Sequence, residues 1–233
     1  GCQSTVIPDT VKIIGEAAFK SSPISNIAIP PSVTKIDHEA FYYCKLLENI
    51  TIPESVKRIG RRAFMFCRSL KSVTIADSVS EIGEACFAGC PLQNVTLPKS
   101  LTTISDKLFR SSSVSTVVIP DSVTEINEGA FENCTKLQSV VFPESLTSIG
   151  WNAFSHCDAL TDVVFPKSLQ KIDSSAFSEC KSLKTVTFST GMKTIDESAF
   201  ESRFDENPTQ LQAIYVPAKK TDYYKQRLPE KHH

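Results

Sequence analysis

The stretch "IPDSVTEINEGAFENCTKLQSV", Ile119 to Val140, is followed after Val141 by "FPESLTSIGWNAFSHCDALTDV", Phe142 to Val163. Pro, Ser, Ile, the Ala-Phe pair, Cys, Leu and Val recur in both at matching offsets. The frame extends in both directions. Phe19, Phe41, Phe64, Phe87, Phe109, Phe131, Phe154, Phe177 and Phe200 follow one another at 22 or 23 residues. A second ruler runs through Pro8, Pro30, Pro53, Pro98, Pro120, Pro143, Pro166 and Pro217, with Ala76 and Ser189 standing in twice. At "CPL", Cys90 to Leu92, one unit loses a residue. The consensus is L-x-x-V-x-I-P-x-S-V-x-x-I-G-x-x-A-F-x-x-C. Nine units fit, and "AIYVP" supplies a last strand. A fixed period of this length is the mark of a repeat architecture.

Each consensus position has a physical reading. V-x-I alternates, placing Val140 and Phe142 inward and Val141 outward in a half-buried strand. Proline ends that strand, because it donates no ladder hydrogen bond. The serine column (Ser32, Ser55, Ser78, Ser100, Ser122, Ser145, Ser168) suits a turn whose hydroxyls bond nearby backbone. V-x-x-I offers two more inward residues. The column Gly15, Asp37, Gly60, Gly83, Ser105, Asn127, Gly150, Asp173, Asp196 suits unusual backbone angles or a helix start. The Ala-Phe pair is then expected on a short helical or 3-10 turn. No unit can bury its own apolar side, but stacked units can, giving a parallel-stranded solenoid of about nine 22–23-residue repeats. At about 4.8 Å per strand it would be on the order of 45 Å long.

Length and composition agree with this. The chain has 233 residues, 41% of them hydrophobic, enough for a continuous core. Basic and acidic residues number 25 and 26, so no general attraction to nucleic acid is expected. No apolar run approaches the roughly 20 residues of a membrane span. Residues 1–217 are expected to form the solenoid and residues 203–233 a C-terminal capping segment, with no N-terminal cap in sight. Gly1-Cys2 reads either as a lipoprotein junction, with Cys2 lipidated, or as the tail of an earlier repeat. The repeat pattern already running at "VIPDTVKIIGEAAF" favours the latter.

The consensus, above all "SVTEINEGAFENCTKLQSVVFP", resembles the BspA-type leucine-rich repeat family of bacterial surface proteins, over about residues 6–217. The ending "IYVPAKKTDYYK" is similar to the close of such arrays. The resemblance implies a leucine-rich-repeat solenoid, a right-handed α/β-type horseshoe or rod, secreted or held at the cell surface. It implies adhesion to host matrix proteins, cell-surface proteins or glycans, and brings no catalytic residues and no cofactor.

Six cysteines, Cys44, Cys67, Cys90, Cys134, Cys157 and Cys180, lie three residues after the marker phenylalanine; Ser22, Ser112 and Arg203 take that place elsewhere. A column of small, weakly donating hydrophobes is the reading adopted. Zinc would need convergent C-x-x-C pairs, which are absent. Stacked coils bring Cα atoms into bridging range, yet parallel side chains aim poorly at one another. A nucleophile would need an exposed thiolate and a base, and His156 beside Cys157 is repeated in no other unit. His38 lies five repeats away, roughly 24 Å by strand spacing, so the two histidines share no metal. Cys86 replaces the small Ala of its unit and reads as core.

Two candidate binding surfaces remain. The outward strand column holds Thr74, Thr96, Val118, Val141, Val164 and Thr187, a mildly polar face with an apolar stretch. The third repeat, "SVKRIGRRAFMFCRSLKS", concentrates Lys57, Arg58, Arg61, Arg62, Arg68 and Lys71 in a basic patch fit for an acidic glycan or protein. Trp151, beside an Ala-Phe pair, is expected on another face. The sequence thus predicts a monomeric, non-enzymatic protein-binding or adhesion module; the alternative is a structural spacer holding another domain away from the cell.

Overall fold

The computed structural model describes residues 5–201, 212–218 and 221–225. Each repeat is one coil, and every strand pairing between coils is parallel. Among the described residues the V-x-I segments form eight strands, from Asn49–Ile52 to Ala213–Tyr215. Among the same described residues the V-x-x-I segments form nine two-residue strands, from Ile13–Ile14 to Thr194–Ile195. Inward residues are buried and outward ones exposed along both, as in Asn49–Ile52. The serine hydroxyls do not bond within their own turn. Ser78, Ser145 and Ser168 donate to the carbonyls of Val56, Val123 and Leu146 in the preceding coil, at 3.1, 2.6 and 2.7 Å.

The third side corrects the sequence reading: the Ala-Phe segments are not helical. The only helix among the described residues is Thr221–Lys225. From Asp37 to Cys44, alternate N–H groups bond within the coil, from Ala40 to Asp37, Tyr42 to Glu39 and Cys44 to Phe41. The N–H groups between them, of Glu39, Phe41 and Tyr43, reach forward to the carbonyls of Arg61, Ala63 and Met65 in the next coil. Tandem turns thus make a third ladder that satisfies the donors a helix would have used. In the first eight coils two left-handed residues permit this, such as Glu39 and Tyr43 at φ of 52° and 60° or Asn152 and His156 at 54° and 57°. Such φ values are incompatible with a helix.

The glycine column therefore serves close approach rather than unusual angles. Gly60, Gly83 and Gly150 do not have positive φ. A Cβ on Gly83 would meet the backbone nitrogen of Arg61, one coil back, at 2.4 Å, whereas one on Gly15 would meet nothing within 4 Å.

The core is a single continuous cluster with the phenylalanine column at its centre. From Phe19 to Phe200 the rings stack coil by coil, with centroids 5.0 to 5.9 Å apart and planes within 18°. The widest step, 5.9 Å, is Phe87 to Phe109, beside the shortened "CPL" link. There both strand ladders lose hydrogen-bonded continuity, between Glu81–Ile82 and Thr103–Ile104 and between Asn94–Val95 and Thr116–Val118. A second aromatic file, Phe142, Phe165 and Phe188, ends on Tyr224 of the helix, whose ring lies 4.9 Å from Phe188. The Tyr224 hydroxyl donates to the Ser189 carbonyl at 3.1 Å, and Tyr223 donates to the Lys193 carbonyl. Most of segment 203–233 lies outside the described residues, as does Cys2.

Gly83→Ala is expected to lower stability by about 2 kcal/mol or more, because the obstructing atoms are backbone. Gly15→Ala, in the same repeat position, is expected to stay within about 0.5 kcal/mol of the parent. Urea unfolding of the two variants, side by side, checks the contrast.

Candidate functional site

The outward column of the long strands is a surface file. Val118 and Val141 are paired in register, as are Val164 and Thr187, and then Thr187 and Tyr215. Val118, Val141 and Val164 are 66%, 57% and 65% exposed. Thr74 and Thr96 are exposed; Thr187 is half-buried beside exposed Tyr215. Pleat geometry dictates this, since the flanking residues of each strand fill the core. A depression of about 460 Å³ opens at the Thr96 and Val118 end, between Val95 and Pro120.

The structure does not gather the six basic residues of the third repeat on one side. Lys57 and Arg58 stand on the short-strand side, where Arg58 lies in register between Lys35 and Glu81. Arg61 and Arg62 open the tandem turn. Arg62 sits 3.9 Å from Glu39 and 4.0 Å from Glu84, so its charge is already met. Glu39 is held below the usual carboxylate range chiefly by its hydrogen bond from Lys20. Arg68 lies beyond the turn, 5.6 Å from the centre of the Tyr43 ring, which also carries Lys45 at 4.4 Å. Lys71 leads into the next long strand. Clustering in sequence becomes dispersal around a coil.

The six column cysteines and Cys86 are fully buried and free. Each column thiol donates backwards to the carbonyl of the preceding coil's marker phenylalanine: Cys44 to Phe19 at 3.0 Å, Cys67 to Phe41 at 3.1 Å, Cys90 to Phe64 at 3.0 Å, and so on to Cys180 and Phe154 at 3.2 Å. Donating groups this small and this tolerant of burial are few. Where serine replaces cysteine at Ser112, its hydroxyl meets the Cys134 sulfur at 3.3 Å. Burial pushes the Cys134 thiol up to about 11 and the Cys180 thiol up to about 12. These are protonated structural donors, not nucleophiles. His38 accepts the Arg61 N–H at Nδ1, 3.1 Å away. Among the described residues no group of three His, Cys, Asp or Glu is placed to hold a metal, and no helix is long and apolar enough to cross a membrane.

Sequence reasoning passed over one feature. A depression of about 660 Å³ lies on the short-strand side around Trp151, lined by polar side chains from successive coils. Trp151 was separable in sequence by its place in the repeat; its neighbours Glu125, Asn127 and Gln170, 26, 24 and 19 residues away in adjoining coils, were not.

The chain matches the BspA type leucine rich repeat region in six copies, over residues 1–115 and 102–225, and belongs to that family. Among solved structures it is similar to the pneumococcal vaccine antigen PcpA, with 19% identity over 97% of this chain and 77% of that one and a TM-score of 0.49. A leucine-rich repeat protein from Eubacterium ventriosum ATCC 27560 is 22% identical over 92% of this chain and 78% of its own, TM-score 0.49. A leucine-rich cell surface protein from Faecalibacterium prausnitzii A2-165 is 24% identical over 95% and 81%, TM-score 0.43. No curated protein matches the chain.

The raised thiol values fix a pH dependence. An unfolded thiol titrates near its ordinary value of 9.0, whereas Cys134 in the fold keeps its proton to about 11. Thiol protonation therefore stabilises the fold fully below about pH 8.5 and is lost as pH rises through the folded values. The urea midpoint is expected to fall between about pH 9 and 12, less steeply in a Cys134→Ser, Cys180→Ser double variant. In a Cys2→Ser chain at neutral pH, a chromogenic thiol reagent is expected to react only once denaturant is added.

Proposed function

We propose that this chain is a non-catalytic binding module that works at a bacterial surface, secreted or anchored there, with the long-strand face as its contact surface. The observation that carries the reading is the valine file. Three neighbouring coils place Val118, Val141 and Val164 outward at more than half exposure, where Thr74 and Thr96 stand in earlier coils. Strand propensity accounts for either residue type, but not for three adjacent apolar side chains left in water. The depression at Thr96 and Val118 gives the stripe a recess for a partner's side chain. Membership of the BspA-type repeat family supports the location. The contact is noncovalent, and a host matrix or cell-surface protein fits an apolar stripe on a sheet.

A structural spacer is the second reading, favoured by the way charge is distributed. Ion pairs join consecutive coils along the array, as in Lys20–Glu39 at 2.6 Å, Arg110–Glu132 at 2.9 Å and Lys181–Asp158 at 3.0 Å. Such a self-neutralised surface suits a rod with no partner of its own. A screen of the purified chain against immobilised matrix proteins and glycans, at low and physiological salt, separates the two. A saturable protein partner lost in Val141→Lys and kept in an Arg61→Glu, Arg62→Glu double variant is the expected outcome. Loss only in the double variant moves the contact to the third repeat. No saturable binding anywhere transfers the weight to the spacer.

A further inference from the structure

The depression beside Trp151 lies on the opposite strand ladder from the valine file and has a different chemistry. The position after the glycine column is polar or charged in the other coils: Glu16, His38, Arg61, Glu84, Asp106, Glu128, Ser174, Glu197. Only one coil sets an aromatic there, and it is the only tryptophan of the chain. The indole is 46% exposed, so much of its apolar area is left in water with no packing gained in return. An exposed aromatic platform at the edge of a hollow needs an explanation that core packing does not give.

The groups around it supply one. Four carboxylates line the depression, of Asp106, Glu125, Glu128 and Asp173. Three have partners: Glu128 takes the Lys107 ammonium at 2.8 Å, Asp173 takes that of Lys171 at 2.9 Å, and Asp106 accepts the Glu128 N–H at 3.1 Å. That leaves the Glu125 carboxylate and the primary amides of Asn127 and Gln170, all lining the hollow and without a side-chain hydrogen bond among the described residues. Planar acceptors and paired amide donors match vicinal hydroxyls, and an indole face matches the C–H face of a pyranose ring. The uncompensated Glu125 charge disfavours acidic sugars. A single aromatic wall does not form the cage that an organic cation requires.

We infer that the Trp151 depression is a binding site for a neutral oligosaccharide, with the indole as stacking platform and Glu125, Asn127 and Gln170 as hydroxyl partners. The site is independent of the valine file, so either can fail without the other. The sole tryptophan reports on it directly. The chain is titrated with neutral hexose and N-acetylhexosamine oligosaccharides while tryptophan emission is followed. At least one saturable emission change is expected, unaffected by moderate salt and by Val141→Lys. Asn127→Ala and Gln170→Ala are each expected to weaken it about tenfold, the loss that removing one good hydrogen-bonded contact gives. Trp151→Ala is expected to abolish binding measured by calorimetry, with the circular dichroism spectrum unchanged. A panel that leaves emission untouched overturns the inference, as does binding indifferent to both amide variants. So does an equal response to tetramethylammonium, which would make the hollow a cation site.

Discussion

The spacing between coils governs the rest of the molecule. Parallel strand pairing sets successive coils about 4.8 Å apart, so each side chain lies on its counterpart one repeat away. A residue can be kept in the frame only if it tolerates its own copy as a neighbour. Phenylalanine does, by face-to-face stacking at 5.0 to 5.9 Å. Cysteine does, because each column thiol finds a carbonyl in the coil before, and serine does where the hydroxyls of Ser78, Ser122, Ser145 and Ser168 find one too. Lysine would not, and most charged residues accordingly occupy the outside, where pairs such as Lys20–Glu39 and Arg110–Glu132 join neighbouring coils.

The three hydrogen-bonded sides differ in polarity. At the ends of the short strands the backbone N–H reaches back one coil, as from Asp37 to Ile14. Along the tandem turns it reaches forward, as from Phe41 to Ala63. The thiol of Cys67 returns a bond from that third side to Phe41 in the coil behind. Each coil is thus held to both neighbours by donors on different sides. The cysteine column completes a mutual tie, and this accounts for its fixed place without a histidine or acid beside it.

Much of this was legible in the sequence. The Phe, Pro and Cys columns each give the period, and alternation in V-x-I places Val118, Val141 and Val164 outward. The tandem turn was not legible, because most of its left-handed positions are filled by residues such as Glu39, Arg62, Phe66, Lys107 and Glu179, which carry no turn signal, and Gly89, Gly129, Asn133 and Asn152 hold such a position in only three coils. The glycine column drew attention instead, though its purpose is to let backbones approach. The third-repeat basic residues read as one patch because sequence is linear, whereas one coil spreads them over three sides. The Trp151 hollow failed to show for the converse reason: its partners come from different coils and meet only through stacking.

The missing residue at Cys90–Leu92 has a consequence for how the array bears load. Elsewhere at least one strand ladder runs from coil to coil, the long-strand ladder alone being broken between Ser139–Val141 and Asp162–Val164. Here both are interrupted and the ring stack is at its widest, and of the three ladders only that of the tandem turns, from Ala85, Phe87 and Gly89 to the next coil, crosses the step. In a chain of nearest-neighbour couplings, the weakest coupling decides where the chain divides. This step, spanned by the tandem-turn bonds and the stacked rings of Phe87 and Phe109, is the mechanical fuse of the solenoid. Under a pulling force along the axis this step parts first, and the Trp151 hollow and the valine file stay together on its C-terminal side.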